Sequence, residues 1–175
     1  MSKAVMLSIR PKWCEKIVNG EKTIEVRKTK PKLDTPFKCY IYCTLPKYPH
    51  EDFIATDYPM PQFYGGGKVI GEFICDRCCG IVCVGFDVVN AAKLTREDLE
   101  AYLAGGEGYG WHISDLLIYD QPRELTEFRR SCPNDLYCEA CAMYSNNNGI
   151  CNNGALPLRR PPQSWCYVEA MKDGN

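Results

Sequence analysis

The chain has 175 residues, a formal net charge of −1, and a composition that is 45% hydrophobic and 25% charged. This size suits one domain with its own hydrophobic core, and the composition is that of a soluble globular protein. The near-neutral charge excludes a long basic surface that follows many phosphates, but it allows a compact basic site. No apolar run reaches the ~20 residues that span a bilayer, and the first residues lack a signal-peptide pattern. We therefore expect a cytoplasmic protein without a membrane segment.

The N-terminal part of the sequence predicts a helix followed by a strand. Pro11 suits a first helical position, an apolar stripe follows, and Gly20 can end the helix, so we predict it over 11–19. Polar and aliphatic residues then alternate with period two over 23–27. This pattern predicts a strand with its two aliphatic side chains on one face and its polar side chains on the other.

The rest of the chain is predicted to form mainly short strands. A second helix is predicted at 95–104, because Thr95 can cap its N-terminus and two glycines follow it. Further strands are predicted at 38–44, 69–89 (one or two strands), 111–119 and 164–169. A loop rich in Pro, Tyr and Gly over 45–67 is long enough to suggest a functional flap. The predicted fold class is α+β, mainly β: a partly open or closed barrel of five to seven strands with helices at its ends.

Several segments, taken in order, resemble the ASCH family (activating signal cointegrator homology) within the PUA-like folds. The segments that carry the resemblance are 7–11, 19–27, 67–73, 111–115 and 164–169. The most specific of them is the Gly-x-Lys-Thr opening at Gly20, which a charged strand follows, and the variant is similar to one common in phage and prophage genomes. The resemblance implies one PUA-like barrel over 1–175, whose cleft is lined by that charged strand. It also implies RNA or nucleoside binding, although a fold alone does not select a function.

The polar face of the first predicted strand is the candidate site. Arg27 offers a planar fork for a phosphate or a base edge, and Lys22 with Glu25 could act as an acid–base pair if the protein is an enzyme. Aromatic side chains could stack on a base. The predicted ligand-binding residues are Lys22, Thr23, Glu25, Arg27, Tyr42 and Trp111, with Tyr40 as an alternative to Tyr42. The basic run that continues from Arg27 through Lys28, Lys30 and Lys32 is, in most proteins, simply solvated surface.

One departure from the family pattern separates binding from catalysis. In the branch that the resemblance associates with hydrolysis of acetylated cytidine, the motif runs Lys-Thr-Ile-Thr, and its second threonine is the proposed nucleophile. Lys22 matches the lysine, but Glu25 occupies the nucleophile's position. We therefore predict a protein that binds single-stranded RNA, a nucleoside or a nucleotide. The alternatives are an amidohydrolase or ribonuclease acting on the same ligands, and a zinc-stabilised protein-interaction adaptor.

The twelve cysteines fall into two groups. Four of them, Cys132, Cys138, Cys141 and Cys151, have the spacing C-x5-C-x2-C-x9-C within a polar, Asn-rich segment at 129–155. A segment of this composition has little apolar surface to bury, so we predict that the four thiolates hold a structural zinc; free cysteines and a redox pair are the alternatives. The remaining cysteines lie among apolar residues and are predicted to be buried thiols. This includes the strand-like group of Cys75, Cys78, Cys79 and Cys83, whose side chains are not expected to converge.

Overall fold

The computed structural model describes residues 3–45, 66–81, 87–131 and 157–171. Its strands are β1 (Lys3–Ile9), β2 (Ile24–Arg27), β3 (Phe37–Cys43), β4 (Lys68–Cys75), β5 (Cys78–Gly80), β6 (Tyr109–His112), β7 (Ser114–Arg123) and β8 (Trp165–Glu169). Its helices are α1 (Pro11–Val18), α2 (Asp87–Ala92) and α3 (Arg96–Leu103). Within the described ranges, none of these helices has the length and apolar character needed to cross a bilayer.

The strands form two sheets. One has five strands in the order β7-β4-β3-β1-β8, in which β1 and β3 are parallel and the other neighbours are antiparallel. The other has three antiparallel strands in the order β2-β6-β5. The main hydrophobic core contains side chains of both sheets, among them Leu7 and Ile41 of the large sheet and Trp111 of the small one.

Two smaller clusters complete the packing. One includes Met6, Tyr40 and Tyr42, which alternate along β1 and β3 with the side chains of the main core and therefore lie on the opposite face of the large sheet. In the other, Ile24 and Val26 of β2 pack with residues of α2 and α3. The small sheet is thus covered by helices on one face and by the main core on the other.

The predicted class, mainly β with flanking helices, is confirmed, and both predicted helices are present. Pro11 occupies the first turn of α1, and the Thr95 side chain caps α3 by accepting a hydrogen bond from the Asp98 backbone amide. The described strands number eight and belong to two separately hydrogen-bonded sheets, so a closed barrel is not established. The loop predicted as a flap lies mostly outside the described residues, at 46–65.

Three elements differ from the sequence prediction. The prediction missed β1, which is buried on both faces along most of its length and therefore shows no alternation. The strand predicted to reach residue 89 gives way to α2, whose six residues are too few to display a helical period. The strand predicted at 111–119 is two strands, β6 and β7, separated by Ile113.

Candidate functional site

Strand β2 separates apolar from charged side chains, as its alternation predicts. Its two aliphatic side chains pack against the helices, whereas Glu25 and Arg27 face the other way. In the antiparallel ladder with β6, Glu25 lies opposite Trp111 and Arg27 lies opposite Tyr109. The charged side chains of β2 therefore point towards the side of the small sheet that carries the main core.

Lys22, Glu25 and Arg27 form one buried ionic group, which we call the charged cluster. The Glu25 carboxylate lies 3.3 Å from Lys22 Nζ and 3.0 Å from Arg27 Nη2, one oxygen serving each cation. All three side chains are less than one tenth exposed. The structure thus brings together the three residues to which the sequence assigned the site's chemistry.

Further contacts fix the two cations. Lys22 Nζ donates to the Ala92 backbone carbonyl at 2.8 Å and lies 5.2 Å from the centre of the Trp13 ring. Arg27 donates from Nη2 to the Ser8 carbonyl at 2.8 Å and from Nη1 to Ser164 Oγ at 3.3 Å. Ser8, Trp13 and Ser164 are each partly exposed, and we call these three residues the rim of the charged cluster.

The charged cluster has more positive than negative charge and more donors than acceptors. With Lys22 and Arg27 protonated and Glu25 ionised, its net charge is +1. The buried Arg27 Nε–H has no hydrogen-bond partner among the residues that the structure describes, and neither has the Nε1–H of Trp111, which lies opposite Glu25 in the main core. Buried donors are usually paired, and a charge in a low-dielectric interior acts more strongly than one in water. This arrangement suits an anion with several acceptor oxygens.

Burial also affects the proton affinity of Lys22. Desolvation lowers the pKa of Lys22 from its ordinary value of 10.5, and attraction to the Glu25 carboxylate partly opposes this shift. In the unfolded chain the amine therefore holds its proton more tightly than in the folded protein.

This difference predicts a specific pH dependence of stability. Between the lowered folded-state pKa and 10.5, unfolding takes up a proton, so the contribution of Lys22 to the free energy of unfolding rises with pH. Chemical denaturation measures this free energy for the wild type and for Lys22→Met. The value for the wild type minus that for the variant should increase from neutral pH up to pH 10.5. Lys16→Met is the control for the loss of a lysine outside the charged cluster, because the Lys16 side chain is 38% exposed and pairs with Glu21.

The other residues predicted for the site do not lie at the rim of the charged cluster. Thr23 is exposed, next to the buried Lys22. Tyr42, like Tyr40, belongs to the cluster on the opposite face of the large sheet, so neither ring shares a face with the charged cluster. Trp111 is fully buried in the main core, where its ring contacts those of Phe37 and Trp165. None of these three predicted aromatic side chains is placed to stack on a base at the rim.

The sequence prediction missed the three rim residues. Trp13 was assigned to the apolar stripe of the first helix, and Ser8 and Ser164 lay within segments that carry the family resemblance without being singled out. Their role depends on the approach of β1, α1 and β8 to β2, which local patterns do not reveal. One signal was present: a tryptophan in an amphipathic helix, close in sequence to the Lys22 motif.

Some of the cysteines differ from the prediction. The Cys75 thiol donates to the Arg77 carbonyl, and its interaction with the Cys78 thiol raises the pKa of Cys75 and lowers that of Cys78, so these two side chains do approach each other. Cys83 lies outside the described residues, as do all four predicted zinc ligands, Cys132, Cys138, Cys141 and Cys151. Among the described residues, no group of three or more His, Cys, Asp or Glu side chains is arranged to hold a metal.

Comparison with known proteins gives matches at the level of structure. No protein-family profile and no curated protein matches the chain. Three crystal structures of an ASCH protein from Zymomonas mobilis, ZmASCH, are similar to it. The Tyr-to-Phe mutant has a TM-score of 0.58 and 15% identity, and the match covers 96% of this chain and 91% of the other. The Ser-to-Ala mutant has a TM-score of 0.57 and 15% identity, with 95% of this chain and 88% of the other covered. ZmASCH itself has a TM-score of 0.52 and 16% identity, with 95% of this chain and 87% of the other covered. The chain therefore has the fold of ASCH domain proteins.

Proposed function

We propose that this protein binds a nucleotide, or a nucleotide unit of single-stranded RNA, through a phosphate held at the rim of the charged cluster. The observation that carries the proposal is the net charge of +1 on the buried charged cluster, together with the unpaired Arg27 Nε among the described residues. The ASCH fold supports it, because the family resemblance of the sequence implies RNA or nucleoside binding.

The rim is where the ligand would contact the protein. Because the charged side chains are less than one tenth exposed, a ligand reaches them only at their partly exposed neighbours. The 3.3 Å hydrogen bond from Arg27 Nη1 to Ser164 Oγ is the longest of the Arg27 contacts, so a phosphate oxygen can take its place. Arg27 would then donate to the phosphate from Nη1, because Nη2 is held by Glu25 and the Ser8 carbonyl. Trp13, which borders the cluster at Lys22, offers a ring for a base.

Native mass spectrometry of the protein as purified tests the proposal without assuming which base is bound. The expected result is a retained phosphorylated ligand, lost from an Arg27→Met variant that remains folded. Retention of the same ligand by wild type and variant would place its binding site elsewhere. Retained nucleosides without phosphate would contradict the assigned role of the cluster.

A second candidate function rests on Lys22. Burial lowers its pKa, although the Glu25 carboxylate 3.3 Å away partly opposes the shift, and a lowered pKa is the condition that makes a lysine usable as a general base. An amidohydrolase acting on acylated cytidine, or a ribonuclease, would use Lys22 and Glu25 in this way, with water as the nucleophile because no threonine occupies position 25. Release of acetate from N4-acetylcytidine by the wild type but not by Lys22→Met would support the hydrolase. If acetate is released by neither, that activity is excluded.

For the Cys-rich segment we propose a structural zinc on Cys132, Cys138, Cys141 and Cys151, as the sequence predicts. Elemental analysis of protein purified without chelator should find about one zinc per chain, because four thiolates complete one tetrahedral site. Cys138→Ser should lose most of this metal, whereas Cys166→Ser, which changes a cysteine of β8, should retain it. Protein free of zinc, or equal zinc in both variants, would contradict the assignment of these four cysteines.

A further inference from the structure

The segment that follows β2 presents lysines beside aromatic rings. Lys28, Lys30 and Lys32 are all exposed. Lys28 Nζ lies 5.3 Å from the centre of the Tyr102 ring, and Lys30 Nζ lies 5.5 Å from that of Tyr109. We call these five residues the lysine–tyrosine surface. Exposed cations and rings in alternation are what single-stranded nucleic acid binds, because phosphates pair with the cations and bases stack on the rings.

Contacts with β8 hold this segment in place. Trp165 Nε1 donates to Thr29 Oγ1 at 3.0 Å, and the Lys32 backbone amide donates to Tyr167 Oη at 2.7 Å. These two bonds lie on either side of Lys30, so the backbone that carries the lysines is fixed at two points. Binding to a surface that is already ordered costs less conformational entropy than binding to a free loop.

The lysine–tyrosine surface begins next to the rim and extends around the edge of the small sheet, which β2 forms. Lys28 follows Arg27 in the chain, and Trp165, which holds Thr29, follows the rim residue Ser164. Tyr109 lies opposite Arg27 in the β2–β6 ladder, on the face of the small sheet that carries the charged cluster, whereas Tyr102 belongs to α3, which covers the other face. A strand whose one phosphate sits at the rim would therefore meet Lys30 and Tyr109 first, and would reach Lys28 and Tyr102 by passing the edge of β2.

The local charge favours a polyanion. Residues 28–34 carry three lysines and one acid, Asp34, in a chain whose overall charge is −1. The nearby Glu107 accepts a hydrogen bond from Tyr109 Oη at 3.0 Å and reduces the positive potential on that side. The excess is enough for a few phosphates and too small for a long duplex footprint.

We propose that the lysine–tyrosine surface binds the nucleotides of single-stranded RNA that adjoin the one at the rim, so that the ligand is an oligonucleotide rather than a free nucleotide. This inference rests on the proposed function and extends it from one nucleotide to a strand. Single strands are favoured over duplexes because only unpaired bases can stack on protein rings.

The test compares two probes, uridine monophosphate and a fluorescent oligouridylate of about 8 nucleotides, a length within the usual range for single-strand sites. The wild type should bind the oligonucleotide at least tenfold more tightly. Lys28→Ala/Lys30→Ala should flatten the plot of log affinity against log salt by about 1.4, or about 0.7 for each phosphate that the variant no longer neutralises. The same variant should bind uridine monophosphate as the wild type does.

Two further variants separate charge from stacking. Tyr102→Ala/Tyr109→Ala should weaken oligonucleotide binding about tenfold with little change in the salt slope, because stacking involves no counterion release. Lys16→Ala/Lys68→Ala is the matched control: it removes the same charge from two partly exposed lysines that pair with Glu21 and Glu124, and it should leave the binding of both probes unaffected.

The outcomes distinguish this inference from the proposed function. Equal affinity for the two probes would contradict the proposed role of the lysine–tyrosine surface but not that of the rim. If the oligonucleotide binds in a way that depends on the lysines but uridine monophosphate does not bind, the proposed role of the rim is wrong and that of the lysine–tyrosine surface is supported. Binding of neither probe would overturn both. Equally tight binding of duplex RNA, or of a polyglutamate peptide, would assign the surface to a different partner.

Discussion

Replacing Glu25 with glutamine is expected to lower the free energy of unfolding by about 3 kcal/mol, measured by chemical denaturation at neutral pH. Glu25 is the shared partner of Lys22 and Arg27, and all three side chains are less than one tenth exposed. Glutamine has almost the same shape but no charge, so it leaves two buried cations without a counterion. Removing one member of a buried ionic group is costly because the charges that remain are still desolvated.

Glu21→Gln is the matched control. Glu21 pairs with Lys16 at 3.4 Å, but both side chains are more than one third exposed, and such surface pairs contribute less than about 1 kcal/mol. If Glu25→Gln were no more destabilising than Glu21→Gln, the cluster would be solvated rather than buried. Its net charge would then be screened by water, and the argument for an anion at the rim would fail.

Replacing Arg27 with methionine is expected to weaken the binding of uridine monophosphate by about 100-fold, or about 2.7 kcal/mol. The substitution removes the planar fork and reduces the cluster to a neutral pair of Lys22 and Glu25, which still satisfies its own charges. The loss should therefore appear mainly in ligand affinity, with a smaller effect on folding. Isothermal titration calorimetry measures the first, and denaturation of the same sample measures the second.

Arg123→Met provides the comparison for this experiment. Arg123 lies on β7, where it contacts Tyr119 and Met171 and takes no part in the rim. The Arg123→Met variant should bind uridine monophosphate with the same affinity as the wild type. An equal loss of affinity in both variants would indicate a general effect of positive charge and would contradict a specific role for the Arg27 fork.

The parts of the fold that the sequence predicted are those governed by local chemistry. Pro11 and Thr95 mark the starts of their helices because an N-terminal turn leaves amides unpaired, which suits proline and a capping hydroxyl. The alternation of β2 placed Ile24 and Val26 on one face and the charged side chains on the other. The family motif then singled out the residues that form the charged cluster.

The parts that the sequence did not predict depend on contacts between distant segments. Lys22 is buried because its amine meets the carbonyl of Ala92, 70 positions away. Tyr42 and Trp111 are aromatic residues of the kind that stack on bases. The face of the sheet on which each ring lies is set by strand order, however, and both rings are buried in hydrophobic clusters. Ser164 joins the rim only because β8 pairs with β1. No local pattern contains this information.

The most direct test of the central claim is a pair of calorimetric titrations of the wild-type protein, one with uridine monophosphate and one with uridine. The two ligands differ only in the phosphate that the charged cluster is proposed to attract. The account predicts that the nucleotide binds about 100-fold more tightly than the nucleoside, and that this difference is lost in Arg27→Met. Equal binding of the two ligands, or a phosphate preference that survives in Arg27→Met, would contradict it.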